Sequence, residues 1–105
     1  MLEELREMVL EIVGEIPYGN VVSYKQLATL AGYPKHARLI GKIMSTAPYG
    51  YPCHRVLHSD GSLVGFWPEQ IDLLKEEGVT FLPNGKVNMK KHQWREGNGS
   101  QKSEK

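Results

Sequence analysis

Between Ser23 and Ser45 the chain carries two short helical patterns separated by a tight glycine turn, and few folds can use such a pair. Ser23 with Gln26 three residues on makes a capping box before an apolar run, so a helix is expected over 24–31, stopping at Gly32. Tyr33-Pro34 follows, and a second helix is expected over 35–45, its apolar face formed by Ala37, Ile40 and Met44. Two helices joined through a short glycine turn have the pattern of a helix-turn-helix, in which the second helix meets DNA. Lys35, Arg38 and Lys42 recur at three- and four-residue intervals and so share one face of that second helix. An ordinary helical hairpin with a polar outer face has the same outline.

Charge sharpens the choice. The 105 residues carry a net charge of +1, yet the signs are segregated. Residues 1–15 hold five acids, and residues 60–79 hold five more; from Ile16 to Ser59 there is no Asp or Glu, only basic residues and three histidines. An acid-free stretch of that length is what a polyanion-facing surface requires.

Around this pair the rest of the chain reads simply. Leu2, Leu5, Met8, Val9, Ile12 and Val13 predict an amphipathic helix over 2–14. Val21-Val22 suggests a short extended segment. Ser59-Asp60-Gly61 predicts a hairpin joining 56–58 to 62–64, and Pro83-Asn84-Gly85 a second joining 79–81 to 86–88. A loop with two aromatics, Phe66 and Trp67, leads into a helix over 68–77 that ends at Gly78. Residues 1–95 therefore read as one domain, mainly α, and 96–105 as a polar, disordered tail. With a single cysteine no internal disulfide can form, which suits a reducing, cytoplasmic setting. No run approaches the ~20 apolar residues of a membrane span.

That single cysteine sits in Pro52-Cys53-His54-Arg55-Val56. Sulfur attacks as thiolate, and an adjacent imidazole can take its proton directly or through one water. His54 can supply that base and Arg55 part of the field, with Pro52 stiffening the turn. Taken alone, a lone cysteine is more often a small buried apolar residue. One cysteine and four scattered histidines give no metal-ligand spacing, and no phosphate-binding glycine loop precedes a helix. A Cys-His hydrolase would need oxyanion donors that nothing in the sequence reveals.

The runs Val-Ser-Tyr-Lys-Gln-Leu-Ala (22–28), Ala-Gly-Tyr-Pro-Lys-His-Ala-Arg-Leu-Ile-Gly (31–41), Pro-Cys-His-Arg-Val (52–56) and Glu-Gly (77–78) resemble the DNA-binding domain of O6-alkylguanine-DNA alkyltransferases. The closing stretch through Trp94 is more similar to the small alkyltransferase-like proteins, which usually have another residue in place of Cys53. The resemblance implies a winged helix-turn-helix with short β-hairpins that binds duplex DNA as a monomer, without cofactor or metal. It implies that Cys53 takes the alkyl group from an extruded guanine, with His54 as base and Glu77 orienting it. Tyr24 would press on the phosphate of the flipped nucleotide, and Arg38 would fill the gap in the stack. Lys35, Lys42 and Arg55 would face DNA. Trp67 would line the base pocket, and the carbonyls of Cys53 and Val56 would read the guanine amino group.

Two departures stand out. Ala47 replaces the family's bracing asparagine, and the loop 65–70 is short and lacks the family's Ser-Gly-Gly. Three functions remain open: stoichiometric alkyl transfer, a non-catalytic lesion sensor that recruits nucleotide-excision repair, and a transcription regulator in which Cys53 is incidental.

Overall fold

The structure, a computed structural model, describes residues 2–65 and 67–95. Five helices and two very short strands follow in the order α1 (Leu2–Glu15), β1 (Val22–Ser23), α2 (Tyr24–Leu30), α3 (Ala37–Ser45), a 3-10 turn (Cys53–Arg55), β2 (Val56–Leu57), α4 (Glu69–Glu76) and α5 (Met89–His92). Phe66 and the tail 96–105 lie outside the described residues.

The helical core is built from faces that the periodicity foretells. Leu5, Val9 and Val13 of α1 pack with Leu27 and Ala28 of α2 and with Ile40, Ile43 and Met44 of α3. Met8, at the edge of the predicted stripe, is exposed, and Leu10 is buried instead. The Ser23 hydroxyl accepts from the Gln26 amide at 2.9 Å and starts α2 as expected. The Gln26 side chain does not return to Ser23 to close the box. Its amide nitrogen reaches the Trp94 carbonyl, and its oxygen accepts from Gln93 at 2.7 Å, so this residue ties α2 to the end of the chain.

At Gly32 the chain turns with φ +90, and the Tyr33 amide closes back on the Ala28 carbonyl at 2.9 Å. A positive φ of this size is costly for any residue with a Cβ. The next helix starts two residues later than expected, at Ala37. Lys35 thus lies in the turn before α3, because the His36 amide is used by the Tyr33 carbonyl at 2.9 Å.

The strands correct the sequence reading more deeply. Val56–Leu57 does not form a hairpin ladder with 62–64. It pairs in parallel with β1, Val22 opposite Val56 and Ser23 opposite Leu57. Only the His58 amide to Ser62 carbonyl bond, 3.1 Å, joins the two arms of the expected hairpin. The reason is burial: alternate residues of a strand face opposite ways. Val22 and Val56 enter the helical core, while Val21 and Leu57 enter a second cluster with Leu74, Val79 and Val87. The later hairpin is formed, but narrowly, by the Phe81–Val87 bridge. The last residues then pair beside β1, with the Val21 amide on the His92 carbonyl at 3.0 Å and the Trp94 amide on the Val21 carbonyl at 2.8 Å.

Candidate functional site

Residues 53–56 leave the loop 46–52 as one 3-10 turn held by short-range backbone bonds. The Cys53 amide binds the Tyr51 carbonyl at 2.7 Å and the Arg55 amide the Pro52 carbonyl at 3.0 Å. Pro52 has φ −77, so the ring supplies the turn's first angle. The following β2 residues anchor the turn in both cores.

From the turn, His54 and Arg55 reach toward the end of α4. His54 Nε2 lies 2.7 Å from Glu77 Oε2. Arg55 donates through Nε and Nη2 to the same carboxylate at 2.7–3.0 Å, and through Nη1 to the Ile16 carbonyl at 2.8 Å. The Gly19 amide adds a further bond to Glu77 at 2.8 Å. Gly19 has φ +84, and a Cβ there would sit 3.3 Å from the Glu77 carbonyl oxygen, so glycine is demanded twice over. Burial alone would raise the Glu77 pKa; donors from Arg55, Gly19 and His54 outweigh it and hold the group at about 2. An ionised carboxylate only accepts, so His54 Nε2 carries a proton toward it.

The Cys53 thiol is half-buried against the helical core, and burial pushes it up rather than down. Arg55, expected to lend Cys53 a field and to meet DNA, is instead occupied by Glu77 and Ile16. Its side chain is only 14% exposed, with Tyr18 stacked at 5.7 Å. In the structure it is an internal brace.

A cavity of about 550 Å³ opens at this turn, lined by Cys53, His54, Arg55, Trp67, Leu73 and the loop 47–52. Trp67 and Cys53 thus line the same cavity. Val56 does not line it, since its side chain is 1% exposed within the core. The carbonyls expected to read a base each carry one bond already: Cys53 accepts from the Val56 amide, and Val56 from Gln70 Nε2 at 3.3 Å.

A larger groove, about 950 Å³, lies along α2 and α3, and Tyr24, Lys25, Lys35 and Arg38 line it with His58 and Asp60. Lys42, one turn beyond Arg38, is exposed on α3 but outside the lining. Tyr24 lines the groove and lies near enough to Cys53 to feel its charge. Its ring packs edge-on against His58 at 5.3 Å, and burial, then the charge of Cys53, push its phenol up.

Sequence reasoning missed Gln70. It is fully buried, accepts from the Val64 amide at 2.9 Å, and donates to the His54 carbonyl at 3.1 Å as well as to Val56. One side chain thus ties the groove's edge to the turn of the cysteine. The only hint in the sequence is a polar residue on the inward side of α4, three residues ahead of the apolar Leu73-Leu74 pair.

Comparison with known proteins agrees with this geometry. Residues 4–79 match the family model described as 6-O-methylguanine DNA methyltransferase, DNA binding domain. A DNA base-flipping protein of Vibrio parahaemolyticus serotype O3:K6 (strain AQ3810) is 33% identical over 98 residues, 89% of this chain and 98% of that protein. A methylated-DNA–protein-cysteine methyltransferase of Rattus norvegicus is 43% identical over 60 residues, 55% of this chain but only 29% of that protein. The crystal structure of S. pombe Atl1 in complex with damaged DNA containing O6-carboxymethylguanine superposes with a TM-score of 0.78 at 32% identity, over 89% of this chain and 96% of that one. The family-model match and the shared mainly helical fold agree: the chain belongs to the family of the 6-O-methylguanine DNA methyltransferase DNA-binding domain.

Proposed function

We propose that the protein binds duplex DNA through α2 and α3 in the winged helix-turn-helix manner, draws an O6-alkylated guanine out of the stack, and transfers the alkyl group to Cys53. A base cannot be attacked inside a duplex, and extruding it costs a few kcal/mol. Arg38, on the exposed face of α3, fills the vacated space, and Tyr24, in the lining of the groove, presses on the swung-out nucleotide. Exposed Lys35 and Lys42 meet phosphates.

In the cavity His54 Nδ1 takes the thiol proton, and Glu77 stabilises the imidazolium that results. The sulfur then displaces guanine from the alkyl carbon in line: the S–C bond forms as the C–O6 bond breaks, and the electron pair stays on the base. The Tyr24 phenol or solvent supplies the proton that restores neutral guanine. The thioether persists, so each molecule acts once and no cofactor takes part.

The observation that carries this reading is the 2.7 Å His54–Glu77 contact beside a half-buried Cys53 in an open cavity. Its test is mass spectrometry after incubation with an O6-methylguanine duplex. One added methyl group on the Cys53 peptide is the expected result; an unmodified peptide at saturating duplex rejects transfer.

A second reading has its own support. Burial raises the Cys53 thiol, and Ala47 stands in the loop where the family resemblance leads one to expect an asparagine. Under this reading the protein binds the lesion without reacting and presents it to nucleotide-excision repair. Tight, lesion-selective binding with an unmodified Cys53 is its signature.

A further inference from the structure

The groove along α2 and α3 carries three cations, Lys25, Lys35 and Arg38, and a single carboxylate, Asp60. An acid on a surface that meets phosphates opposes binding, because at ionic strengths near 0.15 M a charge is felt over about 8 Å. Asp60 nevertheless has work there. Its Oδ1 accepts from the Ser62 amide at 3.0 Å and from the Ser62 hydroxyl at 2.6 Å, which sets the turn 59–62 at the groove's edge. The remaining oxygen, Oδ2, takes Lys86 Nζ at 3.0 Å.

Lys86 arrives from the hairpin 81–87, which follows residues 4–79 of the family-model match. That hairpin is docked on the same turn. The Val87 amide binds the Gly61 carbonyl at 2.9 Å, and a Cβ on Gly61 would come within 2.7 Å of the Val87 oxygen. Both partners of the ion pair are well exposed, 39% and 56%, and pairs of that kind contribute little to folding. Its consequence lies in the field of the groove.

We propose that Lys86 is a DNA-affinity residue that acts through Asp60: it cancels the groove's one negative charge, so that the hairpin 81–87 completes the phosphate-facing surface. The proposal rests on the reading that this groove faces DNA. Asp60 supplies the turn its geometry, and Lys86 removes the electrostatic penalty of having it there. Because Asn retains Oδ1 as an acceptor for Ser62, Asp60→Asn separates the two roles.

The experiment is a double-mutant cycle on the full chain, read by fluorescence anisotropy with an undamaged duplex at fixed salt. Lys86→Met keeps the aliphatic stem and removes the charge; it should weaken binding about three- to tenfold with an unchanged melting temperature. Lys86→Arg should restore wild-type affinity. Asp60→Asn, which leaves the Lys86 charge unanswered, should bind more tightly than wild type, and the double variant Asp60→Asn/Lys86→Met, neutral again at this site, should return to within about twofold of wild-type affinity. If Lys86→Met binds like wild type, the proposal is wrong. If the double variant stays as weak as Lys86→Met alone, the Asp60 charge does not oppose binding and the action through Asp60 is disproved. A wild-type protein that fails to bind duplex at all would instead remove the DNA reading of the groove, a different and separately visible failure.

Discussion

The groove along α2 and α3 and the cavity at Cys53 share no lining residue, and they treat charge in opposite ways. In the cavity, every formal charge is answered from within. Glu77 is 6% exposed and Arg55 14%, and each is the other's principal partner. In the groove, Lys25, Lys35 and Arg38 are exposed, and no ion pair among the described residues involves them. Charges paired internally hold a geometry; charges left facing solvent await a partner. A buried pair that loses one member leaves the other stranded in low dielectric, whereas an exposed cation that is lost leaves only a weaker field. Substitutions in the cavity should therefore disturb chemistry or folding, and those in the groove should disturb binding.

The sharpest separation comes from Cys53→Ser, which should abolish methyl transfer in the mass-spectrometric assay while leaving duplex affinity within about twofold of wild type. A parallel loss of affinity would show that the two regions are one. Next in size is Glu77→Ala. It strands Arg55, His54 and the Gly19 amide together, and should lower stability by about 3 to 5 kcal/mol in urea unfolding. A loss under about 1 kcal/mol would mean that Arg55 finds another partner with ease.

Gln70→Met preserves volume but orphans the Val64 amide and releases the His54 and Val56 carbonyls. Thermal or urea unfolding should show about 1 to 3 kcal/mol of destabilisation. Arg38→Ala should reduce affinity for O6-methylguanine duplex about tenfold, equivalent to about 1.4 kcal/mol, with no change in melting temperature. Coupled losses of stability and affinity there would contradict the division of labour.

The Glu77 carboxylate also sets a pH dependence. Glu77 titrates at about 2 in the folded protein, below the ordinary carboxylate value near 4.3. Its contribution is therefore complete above the unfolded value and is lost as pH falls from about 4.5 to about 2. Melting temperature measured across that window should fall, and Glu77→Gln should flatten this part of the curve.

The comparison also shows where sequence reading works. The turn at Gly32, the cap at Ser23 and the apolar faces of α1 to α3 were legible because each rests on contacts within about four residues. Of the groove's cations, Arg38 was legible on α3 for the same reason; a late helix start moved Lys35 into the turn, Lys25 was not singled out, and Lys42 lies outside the lining. The hold of Glu77 on Arg55 was not legible, because the two stand 22 residues apart. The hairpin expected at 56–64 gave way to a parallel pairing with β1, since only that pairing buries Val22 with Val56 on one side and Val21 with Leu57 on the other.

From sequence alone came the helices, the acid-free stretch and the Cys53-His54 pair, because composition, periodicity and short motifs are properties of neighbouring residues; Glu77 joined that pair only through the family resemblance. Only the tertiary structure decided that Glu77 serves Arg55 and Gly19 as well as His54, that Gln70 links groove to turn, and that the chain's end closes on β1. Those partners stand 14 to more than 70 residues apart, and nothing but the packing of two cores brings them within hydrogen-bond reach.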